Sequence, residues 1–393
     1  GQYSTGFCMF VRFCRYRAKK RDMREIAKNK ERGASVMKKL VALLLSVMMC
    51  FACVSALADT YVSWYTYGDV YLSSVRSEME ADFAKLNLTI NGSDANGNQQ
   101  VQSDFISTAL MNNDCEAIVV NLVESGAIST AQTIMNQIQA AGIPTVWFNR
   151  PVSTSNEEAA NLFLSNPASA FVGTNFEDAG RMQGELIGQY LVEHYNDIDL
   201  NGDGKISYIM FKGDEANQEA IARTALAVEY ANKALVAAGK PEIEFYDASN
   251  ANKYLVDPNG SWSNVFSSEQ MQTVLSMYNE GNGNMVELVI CNNDDMAYGA
   301  VMALQNAGYN HGEGTTAIPV FGVDATDVAK DLINNGYMVG TIKQDNVGMA
   351  DAVATITANL IAGKENKFEG LNENYVIVDN WFVQIPYAVY TGE

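Results

Sequence analysis

Residues 286–299 read Val-Glu-Leu-Val-Ile-Cys-Asn-Asn-Asp-Asp-Met-Ala-Tyr-Gly. An apolar run of strand length passes directly into amide and carboxylate side chains, and residues 296–307 then show apolar side chains at helical spacing. A continuous apolar run is typical of a parallel strand that helices cover on both faces. This stretch therefore predicts one βα unit with polar groups at the carboxyl end of its strand.

The same order of apolar run, polar turn and helical stretch recurs along the chain from residue 59 onwards. Repeated βα units predict a doubly wound α/β fold with a parallel sheet. Residues 59–393 form a longer chain than a single hydrophobic core usually accommodates, so we predict two such parallel-sheet domains.

The first 58 residues differ from the rest in composition and predict export. A basic start at Met37-Lys38-Lys39, an apolar run over residues 40–57 and the small residues Ala56-Leu57-Ala58 predict a signal peptide over residues 37–58. The mature chain would then begin at Asp59 and reside in the periplasm or on the outer face of the cell envelope.

Residues 1–36 carry many Arg and Lys residues and no apolar periodicity. We interpret them as a spurious or extended N-terminal segment. A lipid anchor on Cys53 is the alternative to cleavage after Ala58, although Cys-Phe-Ala before Cys53 matches a lipoprotein motif poorly.

The predicted mature part is strongly acidic. The whole chain has 26 Lys plus Arg and 46 Asp plus Glu, and residues 1–58 hold 12 of the former and 3 of the latter, which leaves a formal charge of −29 for residues 59–393. Such a surface repels polyphosphates, so nucleic acid is not expected as a partner. Cys115 and Cys291 each lie in an apolar run, which indicates small buried hydrophobic residues and no disulfide.

Polar side chains follow six of the apolar runs, at the edge where ligands bind in open parallel sheets. Helix capping or a turn explains any one of them, but six groups with an arginine one helical turn after Glu219 indicate a site for a neutral polyol. Amides and carboxylates orient hydroxyl groups, arginine donates to them, and aromatic rings cover the faces of a sugar. The groups are Asp69, Asn149-Arg150, residues 214–219, Asn292-Asn293-Asp294, Asp324 and Gln344-Asp345, and the arginine is Arg223.

In these stretches the chain resembles the periplasmic glucose/galactose-binding protein family, over essentially the whole mature length. The similar segments are residues 58–60, 65–71, 143–149, 171–174, 212–213, 222–224, 287–299 and 318–324. The resemblance implies two α/β lobes joined by three hinge crossovers, near Thr174, Gln344 and Trp381. The first lobe would comprise residues 59–174 and 345–380, and the second residues 175–344 and 381–393.

The resemblance also implies roles in sugar binding for individual side chains. Two aromatic rings, Tyr71 and Trp262, would stack on the sugar, and the hydrogen-bonding residues would be Asp69, Asn149, Arg223, Asn293 and Asp324. Three positions depart from the family pattern, with Asn217 in place of His, Glu219 in place of Asp and Gln344 in place of Asn. Each change keeps polarity but alters reach or donor pattern, so glucose or galactose is expected and a pentose, a methyl-galactoside or another polyol remains open.

Residues 199–207, Asp-Leu-Asn-Gly-Asp-Gly-Lys-Ile-Ser, match the start of an EF-hand calcium loop. Met210 occupies the twelfth position, where a bidentate Glu is normal. Glu287 lies in an apolar run, where a charge needs a partner, and the family resemblance implies that it supplies the missing carboxylate. The predicted ligands of a structural Ca²⁺ are Asp199, Asn201, Asp203, the carbonyl of Lys205, Ser207 and Glu287.

A glycosidase and a LacI-type regulator are the alternative classes of protein. A glycosidase would need paired carboxylates, for which Asp69 and Asp324 are conceivable, but the sequence has no nucleophile motif and no phosphate-loop motif. The two histidines, His194 and His311, lie away from the polar strand ends. A regulator would need a basic helix-turn-helix before Thr60, where the predicted signal peptide lies.

The sequence thus predicts a monomeric binding protein and not an enzyme. It would capture a monosaccharide, D-galactose or D-glucose in the first place, by hinge closure and deliver it to the permease of an ABC importer. Docking on a chemoreceptor, as in a sugar-sensing chemotaxis or signalling protein, is the further alternative.

Overall fold

The computed structural model describes residues 58–392. The predictions for residues 1–36, for the signal peptide up to Leu57 and for a lipid on Cys53 concern residues outside that range. Within the described residues, no helix is both long and apolar enough to cross a membrane.

Two seven-stranded sheets form the centres of two lobes. The strands are β1 (Ala58–Trp64), β2 (Leu88–Asp94), β3 (Cys115–Val120), β4 (Thr145–Phe148), β5 (Ser169–Gly173), β6 (Ser207–Lys212), β7 (Glu244–Phe245), β8 (Leu255–Val256), β9 (Leu288–Cys291), β10 (Val320–Asp324), β11 (Gly340–Lys343), β12 (Val376–Val378), β13 (Phe382–Gln384) and β14 (Ala388–Tyr390). The first sheet has the order β12-β13-β5-β4-β3-β1-β2, and the second has the order β14-β11-β10-β9-β6-β7, with β8 also paired to β6. The pairs are parallel except β12 with β13 and β11 with β14.

Helices cover both faces of each sheet. They are α1 (Val70–Lys85), α2 (Gln99–Ala109), α3 (Ile128–Ala140), α4 (Asn156–Leu164), α5 (Phe176–Ile198), α6 (Gln218–Ala237), α7 (Asn264–Met277), α8 (Asp294–Asn306), α9 (Asp327–Asn334) and α10 (Asn346–Ile361). In the first lobe, α1 and α10 pack on one face and α2 to α4 on the other, and in the second lobe α7 to α9 pack on one face and α5 with α6 on the other. The predicted class, two parallel-sheet α/β domains, is confirmed.

Helices α5 and α6 pack closely because α5 carries glycine at three positions four residues apart. A Cβ on Gly180 would lie 2.7 Å from the carbonyl oxygen of Ala222 and 2.9 Å from the Cα of Arg223, and Gly184 and Gly188 are equally crowded. Only glycine permits this approach without a shift of the backbone. The glycines of α5 therefore determine where the first turns of α6 lie.

The chain passes between the lobes three times. Two passages follow β5 and β11, close to Thr174 and Gln344. The third passage lies after Gln384, a few residues beyond the predicted position near Trp381, so residues 381–384 belong to the first lobe and not, as predicted, to the second. Strand β13 (Phe382–Gln384) pairs in parallel with β5 of the first sheet, and Trp381 stacks on Phe163 with a centroid distance of 5.3 Å.

Candidate ligand-binding site

A cavity between the two lobes, called the inter-lobe cavity below, gathers side chains from the ends of many strands and helices. It is lined by Asp69, Tyr71, Asn149, Arg150, Asn217, Glu219, Arg223, Trp262, Asn293, Asp324 and Gln344. All ten residues predicted for the ligand site from the sequence thus lie on its wall, and Arg150 is the eleventh. The set mixes carboxylates, amides, arginines and aromatic rings, which is the combination that recognises hydroxyl groups.

Several of these side chains are helix N-caps as well as wall residues. The Asp69 carboxylate accepts a hydrogen bond from the backbone N–H of Leu72 at 2.8 Å at the start of α1. Asn217 and Asn293 cap α6 and α8 in the same way, and each accepts from a backbone N–H within three residues. Capping and ligand contact are therefore not alternatives here, because the caps of three helices converge on one cavity.

Three of the wall residues have a positive φ angle, which determines the direction of their side chains. Asn149, Trp262 and Asp324 have φ values of 61°, 56° and 122°. Non-glycine residues adopt positive φ rarely, and such residues cluster at binding sites. The Trp262 ring lies against Gly213, where a Cβ would come 2.1 Å from ring atoms, so glycine at that position lets the indole reach the cavity.

Arg223 is the centre of a buried hydrogen-bond network. Its guanidinium donates to the Asn292 carbonyl at 2.9 Å, to Glu219 at 3.0 Å, to the Tyr387 hydroxyl at 3.1 Å and to the Gln344 side chain at 3.2 Å. Negative charge around Arg223 raises its pKa although burial opposes this. The arginine is therefore charged and held in one orientation.

The same network reaches all three passages between the lobes. The Glu219 carboxylate accepts from the hydroxyls of Thr174 at 2.7 Å and Tyr387 at 3.2 Å. Thr174 follows β5, Gln344 follows β11 and Tyr387 follows β13. Groups on the cavity wall are thus bonded directly to the hinge.

Three buried polar atoms on the cavity wall or beside it have no hydrogen-bond partner among the described residues. They are the Tyr71 hydroxyl, the Arg223 Nε and the Gln344 Nε2. Buried polar groups in folded proteins are nearly always paired, and each unpaired one costs about 1–3 kcal/mol. All three are donors, so a ligand with hydroxyl oxygens provides the kind of acceptor that they lack.

The carboxylates of the cavity are poorly solvated. Burial raises the pKa of Asp324 well above its usual value, although Arg223 lowers it. Loss of solvent also raises the pKa of Asp69, against the opposing effects of the Leu72 N–H and the Tyr65 hydroxyl. Behind the wall, burial raises the pKa of Asp294 to about 7 while Thr341 donates to it at 2.6 Å.

The two lobes are in contact across the cavity. Arg150 of the first lobe lies 3.6 Å from the Asp214 carboxylate of the second, and Gln218 donates to the Thr154 carbonyl at 2.8 Å. The cavity volume is about 30 Å³, which is room for about two water molecules. A sugar ring is larger than that, so it enters when the lobes separate and needs them less tightly closed in the bound form than in this structure.

Arg150, Tyr65 and Tyr387 also support the cavity, and of these three only Arg150 was expected near the site, as one of the polar residues that follow an apolar run. Arg150 donates to the Leu122 carbonyl at 2.7 Å and lies over the Tyr65 ring, whose hydroxyl donates to Asp69 at 3.0 Å. No pattern in the sequence indicated Tyr387.

The loop over residues 199–207 has its side-chain oxygens turned toward its own backbone. Asp199 accepts from the N–H groups of Asp203 at 3.1 Å and Gly204 at 2.9 Å, and Asp203 accepts from the N–H of Lys205 at 2.9 Å. In the described part of the chain, no three His, Cys, Asp or Glu side chains form a ready cluster for a metal ion.

Glu287, the residue before β9, lies against this loop. The residue is 1% exposed, and its carboxylate accepts from the N–H groups of Leu200 at 2.8 Å and Ser207 at 2.9 Å. Burial raises its pKa. The charged residue in the apolar run thus has its partners in the loop, as its position in the sequence indicated, while the Ser207 hydroxyl donates to the Met285 carbonyl at 2.6 Å.

Residues 60–365 match the model of the family described as periplasmic binding protein domain. The chain belongs to the periplasmic binding protein family. The D-galactose/methyl-galactoside binding periplasmic protein of Haemophilus influenzae is 30% identical to this periplasmic binding protein over 306 residues, which are 77% of this chain and 81% of that one. The ribose import binding protein of Escherichia coli is 26% identical over 320 residues, 79% of this chain and 89% of that one.

A solved structure shows the same fold. An ABC transporter solute binding protein from Bacillus halodurans, crystallised with myo-inositol, superposes with a TM-score of 0.61 at 21% identity over 86% of this periplasmic binding protein and 95% of that chain. The resemblance stated from the sequence is confirmed at the level of the family. The relatives' names describe binding proteins, in agreement with the prediction of a binding protein.

Proposed function

We propose that this periplasmic binding protein captures a monosaccharide between its lobes and delivers it to the permease of an ABC importer. The inter-lobe cavity carries this proposal, because its wall combines hydroxyl-binding side chains with three unpaired buried polar atoms. A sugar hydroxyl donates and accepts at once, so a polyol suits both the unpaired donors and the poorly solvated carboxylates.

D-Galactose or D-glucose is the first choice of sugar. The 30% identity to a galactose-binding relative supports it, while other relatives and neighbours are named for ribose and myo-inositol. Glu219, which stands where the resemblance leads one to expect Asp, accepts from Thr174 and Tyr387 and is paired with Arg223. Because this carboxylate is already engaged with the hinge, a pentose, a methyl-galactoside or another polyol is the alternative.

Hinge closure is the proposed mechanism. Asp69, Tyr71 and Asn149 belong to the first lobe, and Arg223, Trp262 and Asp324 to the second, so one sugar contacts both lobes only when they are closed. A ligand shifts such an equilibrium by its differential affinity for the closed form. The closed form is then what a permease, or a chemoreceptor in the alternative role, would recognise.

We also propose that the loop over residues 199–207 and Glu287 hold a structural Ca²⁺. Carboxylates, an amide and a carbonyl provide the hard oxygen donors that calcium prefers, and Glu287 already lies against the loop. Asp199, Asn201, Asp203 and Glu287 would turn from backbone N–H groups to the ion, with the Lys205 carbonyl and Ser207 completing the set. The bound ion would supply positive charge that ties the loop to the strand of Glu287.

Calorimetry with a panel of hexoses, pentoses and polyols tests the proposed function. We expect saturable binding of at least one hexose, together with a smaller radius of gyration or a change in tryptophan fluorescence. Absence of binding to every sugar of the panel would overturn the proposal.

Chelation with EGTA tests the calcium proposal separately. We expect a lower melting temperature that returns when Ca²⁺ is added, and no such change in Glu287→Gln. An unchanged melting temperature on chelation of the unsubstituted protein would rule out a structural calcium ion.

A further inference from the structure

A second cavity lies beside the inter-lobe cavity, on the side of the hinge. Its volume is about 270 Å³, against about 30 Å³ for the inter-lobe cavity. Thr174 and Gln384, at two of the passages between the lobes, lie on its wall. This hinge-side cavity contains none of the second lobe's Arg223, Trp262 and Asp324, so it is a separate space with a different lining.

The two cavities share part of their walls. Asn149 and Glu219 line both of them. Glu219 is held in place by the Thr174 hydroxyl at 2.7 Å and by Arg223 at 3.0 Å. The two cavities are therefore neighbours, and the side chains of Asn149 and Glu219 separate them.

The lining of the hinge-side cavity suits an aromatic group. Phe171, Phe176, Trp381 and Phe382 contribute four aromatic rings to its wall. Aromatic rings attract one another at offset or edge-on geometry beyond their apolar contact area. An apolar cavity of about 150 Å³ is enough to hold benzene, so this volume accommodates one phenyl ring with room to spare.

We infer that the protein binds sugars that carry an aromatic substituent, with the sugar ring in the inter-lobe cavity and the aromatic ring in the hinge-side cavity. The inference rests on the proposed function, since it needs a sugar in the inter-lobe cavity. It adds a ligand class, the aryl glycosides, to the free monosaccharide.

Calorimetry with matched glycosides tests the inference. The probes are the methyl and phenyl glycosides, in both anomers, of the free sugar that binds best. We expect the phenyl glycoside of one anomer to bind at least about tenfold more tightly than the methyl glycoside of that anomer, because a phenyl ring leaves water for an aromatic wall.

A cavity-filling variant locates the phenyl group. Ala160 lies on α4 and lines the hinge-side cavity, whereas its neighbour Asn161 is exposed and does not line it. We expect Ala160→Phe to abolish the advantage of the phenyl glycoside and to leave the affinity for the free sugar within about twofold. Asn161→Phe, the control, should change neither affinity.

The outcomes separate the inference from the proposed function. If the free sugar binds and neither phenyl glycoside binds more tightly than its methyl counterpart, the inference is wrong and the proposed function stands. If Ala160→Phe keeps the phenyl advantage, the ring binds elsewhere and the inference is also wrong. If no sugar binds in any form, the proposed function itself fails, and the inference with it.

Discussion

The two lobes contribute to the inter-lobe cavity in different ways. On the second lobe, Arg223 is fixed by four hydrogen-bond partners, two of which, Gln344 and Tyr387, lie at the hinge. On the first lobe, Asp69 is held by its own helix end and by Tyr65. The second lobe is therefore an organised half-site, and the first lobe closes over it with fewer supporting contacts.

This difference suggests an order of events. A sugar that meets the open protein would find the second-lobe groups already oriented, since they bond to one another and to the hinge. First-lobe groups would contribute after closure. Substitutions in the second-lobe network should accordingly weaken sugar binding more than substitutions of comparable chemistry in the first lobe.

Loss of the Arg223 charge should have the largest effect. In Arg223→Met the cavity loses its central donor, and Glu219 is left as a buried carboxylate without its cation. Removing one partner of a buried pair destabilises the fold by about 3–5 kcal/mol. Because the sugar also loses a charged donor held in one orientation, we expect sugar affinity to fall at least about 100-fold by calorimetry.

Arg181→Met is the matched control for that variant. Arg181 lies on α5 and makes exposed ion pairs with Asp178 and Glu185, and exposed pairs contribute little. We expect an unchanged sugar affinity. A loss of less than tenfold in Arg223→Met would show that the second-lobe network does not dominate binding.

The first-lobe carboxylate should come next in size. Asp69→Ser keeps a side chain that caps α1 but removes the charged acceptor on the cavity wall. A hydrogen bond to a charged group contributes about 1.5–3 kcal/mol, so sugar affinity should fall about 10- to 150-fold while the melting temperature changes little.

Asn98→Ala separates capping from ligand contact. Asn98 caps α2 through the N–H groups of Gln100 and Val101 and lies away from the inter-lobe cavity. We expect it to lower the free energy of unfolding by about 1 kcal/mol and to leave affinity unchanged. If Asp69→Ser behaves like Asn98→Ala, Asp69 is a helix cap and nothing more.

The hinge connection predicts a smaller effect at Tyr387. Its hydroxyl accepts from Arg223 at 3.1 Å, and its single hydrogen is shared between Thr174 Oγ1 at 3.0 Å and the Glu219 carboxylate at 3.2 Å. Tyr387→Phe removes only that oxygen, and a lost hydrogen bond of this kind costs about 1–2 kcal/mol. We expect sugar affinity to fall about 5- to 30-fold.

Tyr61→Phe is the control, because the Tyr61 hydroxyl also makes two side-chain hydrogen bonds, with Asp114 and Asn112 at 2.9 Å each, but away from the cavity. It should leave sugar affinity unchanged. Equal affinities of Tyr387→Phe and the unsubstituted protein would mean that the hinge does not orient Arg223.

Much of the site was predictable from the sequence because ligands bind at the carboxyl ends of the strands in open parallel sheets. Parallel strands end at one edge of a sheet, so the residues that follow each apolar run converge whichever strands pair. The polar residues after β4, β6, β9 and β10 in the sequence duly lie on one cavity wall. The resemblance was needed for Tyr71 and Trp262, since an aromatic side chain in a helix or loop is usually a packing residue.

Other features depend on distances that a sequence does not contain. Tyr387 reaches Arg223 from 164 residues away, and no local pattern marks it. The family resemblance placed a crossover near Trp381, and only the pairing of the short strand β13 with β5 shows that Phe382–Gln384 belongs to the first sheet. The engagement of Glu219 with the hinge depends on one extra methylene, whose direction is set by Thr174 and Tyr387.

The smallest expected effect is the dependence of sugar affinity on pH. This dependence arises from one carboxylate of each lobe, Asp69 and Asp324. Burial raises the pKa of Asp69 and, more strongly, of Asp324. Sugar hydroxyls donate to the ionised form, so affinity should fall as the pH is lowered. Asp324→Asn should remove more of this slope than Asp69→Asn, because the second-lobe carboxylate has the larger shift.

Stability of the free protein should change with pH in the opposite direction. The pKa of Asp294 is raised in the folded state from 3.8 to about 7, so the folded form holds its proton better than the unfolded form. Its contribution to stability is complete below about pH 3.8 and is lost as the pH rises through about 7. Urea unfolding and sugar titrations at pH 5 and pH 8 would show both slopes. If affinity and stability rise together with pH, the poorly solvated carboxylates are not the groups that titrate.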